Sequence, residues 1–299
     1  MSISSDSTDT ISLTPIAVSV VVPVYRDWGK VDGLLRALRG QSLDAGRFEV
    51  LLVDNGSPAI PHLPEMPFER RLLRCSEPGS YAARNAGIRA ARGRVIAFTD
   101  ADCLPRPQWL AAGLARAERE GGIVAGAIDV VPRSASERSA AELYDAMMGL
   151  PQADYVRRGY GVTANLFVPG PVFEQVELFD AARLSGGDAE FCRRAGRLGV
   201  SLHYCAEAVV VHPARRSFPE LAHKLRRIKG GQLRAGSMGR RLMWAVRTPL
   251  PPVRAWKRAL SQGDHTLVER LVVCRVQSRL WLVEVLELLR LAAGGRPQR

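Results

Sequence analysis

The chain has 299 residues, 46% hydrophobic and 24% charged, with 27 Gly and 19 Pro, a composition that argues against a collagen, a coiled coil or a disordered chain. At this length a chain buries roughly three quarters of its unfolded surface, so its core needs neither a metal nor a disulfide staple. The net charge of +12 is uneven: residues 211–299 hold 19 Lys and Arg against 5 Asp and Glu, and residues 1–210 hold 23 against 25.

That asymmetry describes a near-neutral body with a basic C-terminal region, a charge pattern suited to anionic lipid, nucleic acid or a polyanionic substrate. Five cysteines (Cys75, Cys103, Cys192, Cys205, Cys274) are odd in number and never spaced as a ligand pair, which argues for a reducing, cytoplasmic compartment. Residues 1–15 are polar and acidic, read as a flexible tail and lack the pattern of a signal peptide. The most apolar stretch, Leu267 to Ala293, is interrupted by Glu269, Arg270, Arg275, Arg279, Glu284, Glu287 and Arg290, too many charges for a membrane span.

In chain order, the pattern predicts a strand at Ala17–Val24 and a helix carrying Val31, Leu34, Leu35 and Leu38. A strand follows at Phe48–Val53, then a Pro-rich loop through Pro67, a strand at Arg71–Cys75, a helix at Tyr81–Arg92 and a strand at Arg94–Thr99. A helix begins near Pro107, Val124–Val131 and Val200–Val211 read as strands, and Asp188–Leu198 reads as a helix between them. Strands apolar on both faces and separated by helices predict an α/β fold with a mostly parallel central sheet covered on both sides. After residue 216 the pattern becomes basic and helical, broken at Pro249, Pro251 and Pro252. The expected organisation is a tail over 1–15, a catalytic domain over 16–215 and a basic helical extension over 216–299.

In parallel sheets ligands sit at the carboxyl ends of the strands, and here three of those ends carry carboxylates: Asp27 beyond the first strand, Asp54 after the second, and Asp100 with Asp102 after Thr99. Residues two apart on an extended chain point the same way, so Asp100 and Asp102 can share a divalent cation such as Mg²⁺ or Mn²⁺; the competing reading is a turn in which Asp102 caps the next helix. The run from Glu77 to Gly87 passes through a Pro-Gly turn into a helix bearing Arg84 and Asn85, either an anion site or an ordinary turn. Asp188, after Gly186-Gly187, is either a helix N-cap or a general base. His212 closes the last strand, where a histidine is more often structural than a ligand.

Taken in order, VSVVVPVY, VDNGS, PGSYAARNAGI, FTDADC, the TANLFV segment before Phe179-Asp180, and GGDAEF resemble a family 2 glycosyltransferase of the GT-A fold over roughly residues 17–215. The resemblance implies an inverting transfer of a sugar from a nucleotide-diphosphate donor to an acceptor hydroxyl, in cell-envelope glycan, glycolipid or polysaccharide synthesis. It implies that Pro23, Val24 and Tyr25 lie beside the base, that Asp54 contacts base or ribose, and that Arg84 and Asn85 lie near the diphosphate. Asp100 and Asp102 match the D-x-D motif, with Asp102 as the direct metal ligand, Asp188 matches the catalytic base, and His212 matches a position that joins the metal or diphosphate site. The chain departs from the family in having Gly187 where Glu often precedes the base, and the Q-x-x-R-W signature of processive synthases is absent.

The amphipathic basic helices after 216 either pack on the catalytic domain or lie on an anionic membrane, as a lipid-linked acceptor would require. A sugar nucleotidyltransferase is a rival reading, but VPVYRDW lacks the Gly-rich phosphate loop that such an enzyme carries after its first strand. A catalytically inactive nucleotide-sugar or membrane-binding module is another, against which the intact aspartates count. Nucleic acid is not expected as a partner, since no recognition signature accompanies the charge.

Overall fold

The computed structural model describes residues 15–134, 136–234 and 238–298; the expected N-terminal tail lies, apart from residue 15, outside them. The chain runs β1 (Val18–Val24), α1 (Trp28–Arg39), β2 (Phe48–Asp54), β3 (Glu69–Arg74), α2 (Ser80–Ala90), β4 (Val95–Thr99), β5 (Leu104–Pro105) and α3 (Trp109–Glu120). It continues through β6 (Ile123–Val131), α4 (Ala140–Met148), α5 (Gln152–Arg157), β7 (Asn165–Pro169), α6 (Gly170–Val176), α7 (Gly187–Arg197) and β8 (Leu202–Pro213). Four helices follow: α8 (Phe218–Arg234), α9 (Met238–Arg247), α10 (Val253–Leu260) and α11 (Leu267–Ala292).

The strands form one sheet in the order β3-β2-β1-β4-β7-β6-β8-β5. It is parallel from β3 to β4 and between β6 and β8; β7 is antiparallel to both of its neighbours, and the short β5 is antiparallel to β8. The sequence reading left β7 unassigned, as it did α4, α5 and α6. Five residues, NLFVP, running straight into a Gly-Pro helix start, are too short to show a period.

Period-2 alternation sorts the strand residues into two cores. Val18, Val20, Val22 and Val24 of β1 face α1 and α3, whose buried residues recur at helical spacing: Val31, Leu34, Leu35 and Leu38, then Trp109, Leu110, Leu114 and Ala117. Val21, Leu51, Ile96 and Phe98 face α2, α6 and α7 through Tyr81, Phe173, Phe179 and Phe191. This double burial is why the strands read as unbroken apolar runs.

Two polar devices fix the sheet. At its amino end, Glu49 is fully buried beneath the turn from α2 to β4. Although burial works the other way, hydrogen bonds from Ser19, Arg92 and Arg71 hold its pKa below the usual carboxylate value. The backbone N–H groups of Arg92 and Gly93 donate into this pair, which is why α2 stops at Ala90 rather than at the expected Arg92. In the middle, the β6–β8 register slips between Gly126 and Ala127. Asn165, fully buried, plugs the slip: its Nδ2 donates to the Ala127 and Ala208 carbonyls at 2.7 and 2.8 Å, and its Oδ1 accepts from Trp109 Nε1 at 2.8 Å.

The C-terminal helices close on α4. Leu221, Ala222, Val276 and Leu280 pack with Ala141, and Ala259 and Val273 with Leu143 and Met147. The break expected near residue 216 falls between β8 and α8, and the three expected prolines lie between α9 and α10. Lys229 is only 2% exposed and is satisfied by Glu284 at 3.2 Å and the Thr248 hydroxyl at 2.9 Å.

Gly93 is where the sheet edge tolerates no side chain: a Cβ there would stand 2.4 Å from the Ser19 backbone nitrogen. Gly93→Ala is expected to cost about 1–3 kcal/mol, seen as a fall of several degrees in Tm by differential scanning calorimetry, whereas Gly29→Ala, with nothing within 4 Å, should leave Tm unchanged or raised.

Candidate active site

The carboxyl ends of β1 and β2 lie side by side, Val24 opposite Asp54. Asp54 accepts from Trp28 Nε1 at 3.2 Å and from the Gly56 and Ser57 backbone N–H groups at 3.2 Å each. Burial opposes ionisation, yet these donors, with the Ser57 hydroxyl, hold its pKa below the ordinary value. Asp54 lines a cleft of about 300 Å³ with Gly56, Ser57, Ile60, Arg74 and Cys75. Val24 is fully buried, so only its backbone can face a ligand, with Pro23 before it. Tyr25 is exposed at the rim, the Arg26 guanidinium 5.1 Å from its ring centroid. Asn55, which the sequence reading passed over, donates to the Cys75 and Glu77 carbonyls and accepts from Gly79 N–H, shaping the turn into α2.

Beyond β4, Asp100 and Asp102 form a turn closed by Cys103 N–H on the Asp100 carbonyl at 3.1 Å. Asp102 does not cap α3, whose N-cap is Gln108. Asp100 Oδ1 accepts from Arg84 Nη2 at 2.6 Å, and Asp102 has only looser ion pairs, Lys30 at 3.7 Å and His212 Nε2 at 4.0 Å. His212 comes from β8, and its Nδ1 lies 2.8 Å from the Pro213 carbonyl. A carbonyl oxygen only accepts, so Nδ1 is the donor of this contact and Nε2 is the ring nitrogen turned toward Asp102. Ligand atoms of Asp100, Cys103 and His212 lie within 4.8 Å of one another. Cys103 was not foreseen, because its partners come from a distant strand. Burial, then the charges of Asp100 and Asp102, push its thiol well above its usual pKa, which disfavours a thiolate ligand. Asp100 and His212 remain of the three, with Asp102 Oδ1 4.0 Å from His212 Nε2; carboxylate oxygens and an imidazole nitrogen are donors that suit Mg²⁺ or Mn²⁺.

Asp188 stands in the first turn of α7, whose N-cap is Gly186 in the left-handed region (φ 74°); the N-cap reading of Asp188 does not hold. Its carboxylate accepts from Ala189 N–H at 2.9 Å, Tyr81 Oη at 3.3 Å and Thr163 N–H at 3.4 Å. Burial dominates these donors and the nearby Arg84 charge, and raises its pKa. The Arg84 guanidinium lies 5.6 Å from the Tyr81 ring centroid, so Asp188, Tyr81, Arg84 and Asp100 form one connected row. Gly187 explains the departure from the family pattern: a Cβ there would meet the Tyr81 ring at 2.8 Å. The buried amide of Asn85 donates to the Phe179 carbonyl and accepts from Phe179 N–H, tying α2 to the 177–183 loop.

The sequence matches the glycosyl transferase family 2 model over residues 19–173. Glycosyltransferase AglE of Haloferax volcanii is 34% identical over 231 residues, 75% of each chain. Among solved structures, the mannosyltransferase PcManGT from Pyrobaculum calidifontis in complex with GDP-Man and Mn²⁺ aligns at a TM-score of 0.60 and 14% identity, covering 93% of this chain and 89% of its own. S. aureus TarS in complex with UDP-GlcNAc aligns at 0.54 and 13% identity, covering 94% and 93%. At such identities the structural likeness speaks for the fold, and the family match with the AglE relative speaks for the family. The chain belongs to glycosyl transferase family 2 and is a glycosyltransferase with the GT-A fold.

Proposed function

We propose that this chain transfers a sugar from a nucleoside-diphosphate donor to an acceptor hydroxyl with inversion at the anomeric carbon. The observation that carries this reading is the row from Asp188 through Tyr81 and Arg84 to Asp100, which sets a carboxylate of raised proton affinity on the same rim as the candidate metal ligands. The nucleotide sugars named with PcManGT and TarS support a donor of this class.

In this reading Asp54, with the Pro23–Tyr25 edge, receives the base and ribose, and Arg84 lies by the diphosphate. Asp102, His212 and Asp100 would hold Mg²⁺ or Mn²⁺, which when bound supplies Lewis-acid stabilisation of charge on the departing diphosphate; the Mn²⁺ in PcManGT supports such an ion. Asp188 takes the proton of the acceptor hydroxyl as its oxygen bonds to the anomeric carbon. The bond from that carbon to the diphosphate breaks, its electron pair leaving on the phosphate oxygen, and attack opposite the leaving group inverts the centre. Burial of Asp188 raises its affinity for that proton, and its three donors keep the carboxylate aimed.

The acceptor in this reading is a glycan or a lipid-linked group, met at an anionic membrane face by a peripheral protein. No helix among the described residues is long and apolar enough to cross a membrane. From α9 through the turn after it to the start of α10, however, Met238, Leu242, Val246, Leu250 and Val253 are each at least 60% exposed. Arg241, Arg247, Arg254 and Lys257 flank them in sequence, the composition of an interfacial surface.

Asp188→Asn should lower transfer by about 10²–10⁴-fold while leaving UDP or GDP affinity unchanged in titration calorimetry; an equal loss of nucleotide affinity would remove Asp188 from the role of base. Because its pKa is raised, the wild-type rate should fall as pH drops through a value above the ordinary Asp range, with the carboxylate form active above it. Asp102→Ala should abolish the difference in nucleotide affinity between Mn²⁺ and EDTA buffers, and a difference that survives would take the cation away from Asp102. In flotation assays the protein should rise with phosphatidylglycerol vesicles at low salt and be released at high salt. Equal recovery with phosphatidylcholine vesicles, or none with either, contradicts the anionic-surface reading.

A further inference from the structure

Helix α8 brings into the acidic rim cations that the transfer reaction as described does not use. It begins six residues after His212, so Arg215, Lys224 and Arg227 follow the imidazole that faces Asp102. Arg215 is fixed to α4: its Nη1 and its backbone N–H donate to the same Asp145 oxygen at 2.9 and 3.0 Å. Lys224 has no hydrogen bond or ion pair among the described residues. Arg227, three residues on, has an Nε that is buried without a hydrogen-bond partner. The same is true of Arg84, which is 5% exposed and whose Nη2 already holds Asp100. Further along α8, Gly231 allows the helix to lie against the loop leading to Asp188; a Cβ there would come 3.1 Å from the Ser185 Cβ. Helix α8 thus starts beyond β8, carries Lys224 within reach of the Asp100 charge and comes against the Asp188 loop at Gly231.

Burial, with the like charges of Arg215 and Arg227, lowers the Lys224 pKa to about 8, and Asp145 and Asp100 only partly oppose this. Of those two acids, Asp145 is taken by Arg215 and Asp100 by Arg84. Lys224 and Arg227 are half-buried, and a cation partly withdrawn from water without a partner is destabilised; an oxyanion with several acceptor oxygens is the ligand that satisfies an ammonium and a guanidinium together.

We infer that Lys224 and Arg227 of α8, together with the Arg84 that holds Asp100, form a subsite for a phosphoryl group of the reacting pair, either the β-phosphate of the donor or a phosphate carried by the acceptor. The inference rests on the nucleotide-sugar reading above and adds to it a role for the C-terminal extension, which closes the site with positive charge.

The test uses the full chain and the variants Lys224→Gln, Lys224→Arg and Arg227→Gln, each checked for an unchanged Tm. Titration calorimetry with Mn²⁺ compares UDP and GDP with UMP and GMP, and citronellyl phosphate with citronellol. If the subsite holds the donor, Lys224→Gln loses about tenfold in affinity for the diphosphates and little for the monophosphates, and Lys224→Arg recovers most of it. If it holds the acceptor, the loss falls on citronellyl phosphate alone. Nucleotides and citronellyl phosphate binding equally to the wild type and to the Gln variants overturn the subsite. A wild-type chain that binds neither UDP nor GDP overturns instead the donor reading on which the donor arm depends. Should Lys224→Gln fail to fold, Arg227→Gln decides on the same readouts.

Discussion

The arrangement of the site depends on one buried guanidinium. Arg84 is held by α2 between two acids that come from opposite ends of the catalytic region: Asp100 after β4, which it pairs at 2.6 Å, and Asp188 on α7, which it reaches electrostatically past the Tyr81 ring. Carboxylates gathered on one rim repel each other and are driven toward protonation. A fixed internal cation is paired with Asp100, while burial raises the proton affinity of Asp188. The two acids therefore stand in different surroundings, one against a guanidinium and the other buried among neutral donors.

What holds Arg84 in place is the packing of α2. Its first turns enter from the loop tied by Asn55, and its inner face is clamped to the 177–183 loop by Asn85. Asn85 thereby fixes the place of α2 in the site. Asn165, in the TANLFV segment, is structural in a similar way: it fills the register slip in the β6–β8 ladder, beyond which β8 carries His212 opposite Asp102.

The basic C-terminal helices belong to the fold as well as to the surface. Their apolar faces close on α4, one lysine is buried with its own carboxylate, and α8 lies against the loop of the catalytic aspartate candidate. The outward apolar residues of α9 have no such cover among the described residues. One set of helices therefore packs its apolar residues against α4 and leaves further apolar residues, with cations among them in sequence, on the surface.

Local pattern sufficed for the elements around β1 to β4, because strands buried on both faces leave long apolar runs and helices bury residues at a regular spacing. It also sufficed to put acids at the strand ends, but Asp100 and Asp102 sit in a turn rather than on an extended backbone, Asp100 on Arg84 and Asp102 nearer Lys30 and His212. Tertiary structure alone decided the rest. The antiparallel β7 is specified by its neighbours, through five residues with no period of their own. The meeting of Cys103 with His212, the pairing of Arg84 with Asp100, the commitment of Asn85 to Phe179 and the approach of α8 to the Asp188 loop all join residues far apart in the chain. Side-chain chemistry is written residue by residue, but which polar group finds a partner, and which is left facing a ligand, is settled only when distant segments are packed together.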